Sequence, residues 1–476
     1  MVVVAAVAIG LPACGGDEAG EAEPPPPSPA QTGEDTVTEP ADTLPAEQPP
    51  EEPPPAETVA SGECPFEGGT IRAFRAFDLA PVSGPEIGPA AQRAQEVWIE
   101  KVNSDGGISG CQIVVDVEDE AFPDVDRCLR IYRDAITSGQ YDFFIGPQGS
   151  GCMAALPDLT NEAGVALIAG IAADHQPFFE KFGPYVFHPS VSTFLEGRAS
   201  ARLAAELGWK RVAMVVPNFA YGQDAGKAFK EYFLQLVPDG EIVGEQFPEF
   251  DEDNFTPFIN AMVAKEPDGI FSAFFGGFVI PFWNQWIASG NDVSIPIISG
   301  AVVVDTFKLT KQESDIPQNA YGYTRGDWQL MTQTAIGQEL FDLYVDRYGD
   351  EFPLPSEFGF QSINAIQMAK ALIEETQSLD PDDWKAAVEA GDFSFESTYN
   401  QGPTYVNPIN HMADTCAAAG QIVWTEDIPY HAAYDADSFV ISCMRDILPA
   451  EEARRLTSNP DVSDEAISAY YELVGG

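Results

Sequence analysis

The sequence predicts an α/β protein made of two consecutive, doubly wound parallel-sheet units, and three observations carry that expectation. From residue 70 onward, short apolar runs alternate with longer amphipathic stretches. The alternation is interrupted once, around YVFHPSVSTFLEG (185–197), and then begins again. Ahead of it lies a stretch of different composition: residues 15–62 hold no Lys or Arg, twelve acidic residues and twelve prolines. Such a segment cannot bury a core.

The elements follow in order. TIRAFRAF (70–77) reads as a strand, and the next segment carries Ala90, Ala94, Val97, Trp98 and Val102 at helical spacing up to a Gly106-Gly107 stop. CQIVVDVED is a strand, VDRCLRIYRDAITSG a helix, YDFFIGP a strand, CMAALPDLTNEAG a helix and VALIAGI a strand. This βαβαβαβ order predicts a parallel sheet with helices on both faces. The second series runs STFLEGRASARLAAELG (helix), RVAMVVPN (strand), GQDAGKAFKEYFLQLV (helix) and EIVGEQFP (strand). It continues with FTPFINAMVAKEP (helix), DGIFSAFFGG (strand), FVIPFWNQWIASG (helix) and SIPIISGAV (strand). After YGYTRGD come the helices GQELFDLYVDRYG and SEFGFQSINAIQMAKALIEET, then a strand-rich tail around PTYVNPI, GQIVWTEDI and DSFVISCMR.

Charge and the N-terminus bound the function. The 476 residues carry 75 Asp and Glu against 24 Lys and Arg, a formal net charge of -51, which excludes nucleic acid as a partner. The run Val2–Leu11 is too short to span a bilayer and reads as the apolar part of a signal peptide. Its ending, Leu11-Pro12-Ala13-Cys14, resembles the lipobox of bacterial lipoproteins, so residues 1–13 are expected to be removed and Cys14 lipidated. Residues 14–62 would be an extended tether, holding the folded part roughly 40 Å from the membrane. Six further cysteines, 64, 111, 128, 152, 416 and 443, suit three disulfides in an oxidising compartment. Joining near neighbours gives Cys64–Cys111, Cys128–Cys152 and Cys416–Cys443, one of fifteen connectivities.

IGPQGSGCMAA (145–155) contains a GxGxxA at Gly149, Gly151 and Ala154, with Asp174 about twenty residues on, the layout of a dinucleotide fingerprint. That motif belongs after the first strand of a unit in a cytosolic protein, whereas this strand is the third in an exported chain. A tight turn giving a ligand access to backbone beside Ser150 is the better reading. The histidines, 175, 188, 411 and 431, have no zinc-site spacing, Ser150 lacks a GxSxG setting, and no P-loop occurs. No enzyme, cofactor or metal site is therefore expected, and His188, before Pro189, reads as a structural or surface histidine. In open parallel sheets the ligand crevice lies beyond the strands' carboxyl ends. The loops after Phe77, Ile145, Ile171, Val216, Phe275 and Ser299 are the places to look.

Those loops carry a resemblance. FDLAPVSGPEIGPAAQRAQEVWIEKVNSDGGISG, YDFFIGPQGSGCMAALPDLTNEAGVALIAG, NFAYGQDAGKAF, FFGGF and FGFQSINAIQMAKAL occur in order between residues 66 and 410. Together they resemble the type I periplasmic binding proteins, specifically the branched-chain amino acid receptors of ABC transporters (leucine/isoleucine/valine-binding protein-like). The resemblance implies a clamshell of two lobes joined by three hinge crossings, near Tyr185–His188, near Tyr321–Thr324 and around 390–402. The lobes would comprise 63–187 plus 325–390 and 188–324 plus 400–450, with 451–476 as a C-terminal extension.

Carried over residue by residue, the family's carboxylate-binding serine falls on Ser150, next to Gly151. Its ammonium-accepting carbonyl falls on Ile171, and its threonine on Ala173. In the second lobe its tyrosine is Tyr221, its Gly-Gly aromatic Phe278, and its acidic ammonium partner aligns with Val302. Phe77 and Ile87 complete the expected wall, with Phe74 nearby. A buried ammonium needs a charge partner or several hydrogen bonds, and here both the acid and the threonine are replaced; Asp305 reads as a helix cap. The expected ligand is therefore apolar with one oxygen-rich end: an amino-acid-like molecule, an amide or a carboxylate. The resemblance further implies a monomeric, lipid-anchored extracytoplasmic receptor that hands its small-molecule ligand to a membrane permease and its ATPase. The alternative is a ligand-sensing lipoprotein on the same fold.

Overall fold

In the computed structural model the described residues are 64–80, 84, 87–249, 251–300, 311–426 and 431–475. Cys14, the leader and the tether, together with Val302 and Asp305, lie outside them.

TIRAFRAF forms β1 (Thr70–Phe77), buried over most of its length because it is flanked by strands on both sides. α1 (Gly88–Ser104), β2 (Gln112–Asp119), α2 (Val125–Ser138) and β3 (Phe143–Ile145) follow, then α3 (Ser150–Met153), α4 (Leu156–Ala163), β4 (Leu167–Ile168) and β5 (Val186–Phe187). The strands make a parallel sheet in the order β2-β1-β3-β4-β5, with Thr70 opposite Gln112 and Ala73 opposite Phe143. The single helix expected over 152–164 is two: α3 ends at Met153, and Pro157 opens α4, where a missing N–H costs nothing.

The second series is α5 (Thr193–Glu206), β6 (Arg211–Val215), α6 (Ala220–Leu236), β7 (Glu241–Gln246) and α7 (Thr256–Val263), continuing through β8 (Gly269–Ser272), α8 (Val279–Ala288) and β9 (Ile297–Ser299) to β10 (Ala320–Thr324). β7, β6, β8, β9 and β10 are parallel neighbours. The chain then returns to the first sheet with α9 (Trp328–Met331), α10 (Ala335–Tyr348), α11 (Glu357–Thr376) and α12 (Pro381–Glu389). α11 is buried almost all round because it lies against α1: Trp98 Nε1 donates to Gln367 Oε1 (3.1 Å) and Ser362 Oγ to the Ala91 carbonyl (3.0 Å). α12, capped by Asp380, went unforeseen in the sequence.

The third passage between sheets comes later than the expected 390–402. β11 (Ser394–Phe395) and β12 (Thr404–Tyr405) form a hairpin, and Phe393, Phe395 and Val406 pack into the first sheet's core. The backbone then runs beside the first passage. His188 N–H donates to the His411 carbonyl (2.9 Å), and Ala413 N–H donates to the His188 carbonyl (2.8 Å). His188 is fully buried there, its Nδ1 accepting from Ser190 N–H, which makes it structural, the first of its two expected places, and not a surface histidine. β13 (Cys416–Trp424) joins the second sheet antiparallel to β10, flanked by β14 (Ala432–Tyr434) and β15 (Val440–Cys443).

The chain closes with α13 (Met444–Ile447), α14 (Ala450–Leu456) and α15 (Asp464–Leu473). This last segment touches both halves: Arg198 of α5 pairs with Glu452 (2.6 Å), and Asn459 Nδ2 donates to Glu389 Oε1 of α12 (3.0 Å). The disulfides are Cys64–Cys111, Cys128–Cys152 and Cys416–Cys443, the pairing that nearness in sequence suggested. Among the described residues no helix is long and apolar enough to cross a membrane.

Candidate functional site

The carboxyl ends of the parallel strands converge on one cleft. From the first sheet's side it is lined by Ile87 before α1, Gln148 and Ser150 after β3, and Ile171 and Ala173 after β4, with Phe122 from the loop after β2. From the second come Phe219 and Tyr221 at the start of α6 and Phe275 after β8. Arg325, directly after β10, and Phe358, in the first turn of α11, complete it. The free volume is only ≈ 30 Å³, room for about two waters. An organic ligand therefore enters only if the walls part.

Arg325 dominates the electrostatics. Its guanidinium grips both carboxylate oxygens of Glu196 on α5, and Nη1 donates to the Ile171 carbonyl at 3.1 Å. It lies over the rings of Tyr221 (5.2 Å) and Phe358 (5.5 Å). Its backbone N–H and the Thr324 hydroxyl both donate to Glu357 Oε2, at 3.2 and 2.6 Å. Burial opposes the charge on Arg325, but Glu196 and its other acidic neighbours outweigh that and raise its pKa, so it stays a cation. Burial also lifts Glu196 above the ordinary carboxylate range, with Arg325 pulling it back, and pushes Glu357 up to about 7. Tyr221 is fixed by its hydroxyl, 2.7 Å from that of Tyr323.

A second buried acid stands beside Gln148. Glu120 Oε2 accepts from the backbone N–H groups of Gln148 (2.8 Å) and Gly149 (3.3 Å). Two donors of this turn, the N–H groups of Gln148 and Gly149, are thus occupied by a side chain; the helix that starts at Ser150 follows them. Burial pushes Glu120 up to about 8, with Asp78 and Asp119 adding to the shift. Gly149 and Gly151 admit that neighbouring loop: a Cβ at Gly149 would stand 3.0 Å from the Phe122 ring, and one at Gly151 3.0 Å from Val125 Cγ2.

Of the residues chosen from sequence, Ser150, Ile171, Ala173, Tyr221 and Ile87 meet at the cleft. Phe77 sits behind its wall, packed with Ile87 and Ile171. Phe74 is core, its ring against Tyr132 and Tyr141. Gly151 lines a neighbouring chamber. Phe278 stacks edge-on against Phe275 (5.6 Å), and it is Phe275 that reaches the cleft, with its ring 5.1 Å from Tyr221. Asp174 is buried, its Oδ1 accepting from the Gln176 N–H (3.2 Å), rather than set for a ribose. Sequence reasoning missed Phe122, Gln148, Phe219, Phe275, Arg325 and Phe358, and Glu120 and Glu196 beside them. Arg325 had a signal: a basic residue directly after a strand end, in a chain with few of them. Among the described residues no cluster of three His, Cys, Asp or Glu is placed to hold a metal.

Comparison with known proteins gives a consistent picture. The family model described as periplasmic binding protein matches residues 79–427. The Leu/Ile/Val-binding protein homolog 6 of Brucella melitensis is 26% identical over 232 residues, 47% of this chain and 56% of that protein. The Leu/Ile/Val-binding protein BraC3 of Rhizobium johnstonii is 26% identical over 210 residues, 42% of this chain and 53% of the relative. The chain thus spans about half the length of the relatives it matches. Among solved structures, a solute binding protein of an ABC transporter from Rhodopseudomonas palustris BisB5, in complex with 3,4-dihydroxybenzoic acid, aligns over 79% of this chain and 98% of its own (TM-score 0.65, 20% identity). The branched-chain amino acid transporter substrate binding protein LivJ from Streptococcus pneumoniae, in complex with isoleucine, aligns over 79% and 99% (TM-score 0.64, 20% identity). At such identities these likenesses establish the fold.

Proposed function

Because this chain belongs to the periplasmic binding protein family, whose members bind solutes outside the cytoplasm rather than catalyse reactions, we propose that it captures a small organic acid lacking an ammonium group. The observation that carries this reading is Arg325 in the cleft, hydrogen-bonded to the Ile171 carbonyl. That carbonyl is where the family resemblance puts an amino acid's ammonium. With a guanidinium already there, an incoming ammonium would meet a like charge and a spent acceptor. A carboxylate instead finds a fixed cation and the Ser150 hydroxyl, with Tyr221, Phe275 and Phe358 offering apolar contact to the rest of the molecule. Structural neighbours with aromatic acids bound, 3,4-dihydroxybenzoic acid and benzoate, make this ligand class reasonable for the fold.

In this proposal the ligand draws the two lobes together, since only a molecule bound better by the closed form shifts the population toward it. The closed receptor, monomeric and anchored through a lipid on Cys14, delivers the ligand to a membrane permease and its ATPase. Calorimetric titration with benzoate, 4-hydroxybenzoate and isoleucine tests the ligand class. Binding of an aromatic acid with no heat from isoleucine is the expected pattern; binding of isoleucine alone would overturn it.

A further inference from the structure

Next to the cleft lies a second cavity of about 100 Å³, walled by Phe122, Val125, the Cys128–Cys152 disulfide, Phe219 and Ala220. Phe122 and Phe219 border both spaces. Apart from Glu120 and Asp124 the lining is apolar side chain or glycine backbone. Glu120 is 1% exposed, and its Oε1 has no hydrogen-bond partner among the described residues. A buried polar atom without a partner costs free energy that a ligand can recover.

We propose that this chamber is a second ligand subsite, which takes an apolar group ending in a hydroxyl, with Phe122 setting how far a ligand extends into it. The hydroxyl would meet Glu120 Oε1. Burial pushes the Glu120 carboxyl up to about 8, so at lower pH it can both donate to and accept from a neutral hydroxyl, while among the described residues lining the chamber there is no cation for a second anion to meet. The inference rests on the reading of the main cleft as a carboxylate site. It deepens that reading to a class of ligand: an arylalkanoic acid, with its carboxylate at Arg325 and a phenol in the chamber. Ring and linker would then occupy volume that the ≈ 30 Å³ cleft alone does not supply.

The test is calorimetry with benzoate, 3-(4-hydroxyphenyl)propionate and the carboxylate-free probe 4-methylphenol, on the wild type and on Ala220→Phe, which fills the chamber. The long acid is expected to bind the wild type at least about tenfold more tightly than benzoate, an advantage lost in Ala220→Phe while benzoate stays within about twofold. Val125→Phe, from the opposite wall, gives the same result and decides the matter if Ala220→Phe fails to fold. Equal affinity of the two acids in the wild type, or an equal loss of both in the filled variants, overturns the subsite. If neither acid binds but 4-methylphenol binds and is expelled by filling, the carboxylate reading falls and the chamber stands. If none of the three binds, both fall.

Discussion

Two buried glutamates border the same binding region, both lifted by burial, and differ in their partners. Glu196 faces the guanidinium of Arg325 with both oxygens. Glu120 has two backbone N–H groups on one oxygen, no ion-pair partner among the described residues, and two acidic neighbours. The first is half of an ion pair that shapes the cleft's field; the second is pushed up to about 8 by burial, which favours its neutral form. The difference teaches that burial alone does not decide what a carboxyl does. Its partner does, and one binding region can therefore hold a fixed charge at one corner and a neutral hydrogen-bonding group at another.

Breaking the charged corner should have the largest effect. Arg325→Met leaves Glu196 buried without its cation and the Ile171 carbonyl without its donor, and is expected to cost about 3–5 kcal/mol, seen as a lower urea midpoint. Adding Glu196→Leu should restore most of that loss, because removing both charges is far less costly than stranding one. A double variant as unstable as the single would mean the pair is not the source of the effect.

The neutral corner is sharpened by pH. The folded-state value of Glu120 lies near 8, above its unfolded value near 4.5. Its stabilising contribution is thus complete below about pH 4.5 and lost as pH rises through about 8, at up to about 1.4 kcal/mol per pH unit. Glu120→Gln, which cannot ionise, should gain on the wild type steadily between pH 5 and 8 in thermal melts, with the gap levelling off above. A gap independent of pH would show that Glu120 titrates alike in both states. The smallest effect belongs to the wall between them: Tyr221→Phe removes the hydrogen bond to Tyr323 and should cost about 1 kcal/mol, with the cleft's aromatic lining kept.

Much of the frame was legible in the residues. The alternation of apolar runs and helical stretches placed most strands of both sheets, β5 and β10 being expected only as hinge crossings, and the even set of six cysteines paired as nearness in the chain suggested. Where the reading stopped short, a specific cause stood in the way. The break at Pro157 is local chemistry that a periodicity argument overrides too easily. The third passage lies past residue 410 because a hairpin at 394–405 packs back on the first sheet, a contact that no local pattern announces. α12 has a capping Asp380 and an opening Pro381 that could have revealed it.

The site divides along the same line. The sequence pointed to the loops after Phe77, Ile145, Ile171, Val216 and Phe275, because parallel strands bring their carboxyl ends to one edge, and the family resemblance placed Ser150, Ile171 and Tyr221 there. Only the tertiary structure decided that Arg325 occupies the Ile171 carbonyl, that Glu120 fills the glycine turn, and that Phe275 takes the place expected for Phe278. Each of these is a contact between segments from 28 to more than a hundred residues apart, or a choice among neighbouring rings made by packing. Hydrophobic periodicity encodes which face of an element is buried; which partner a buried charge meets depends on how those faces come together in space.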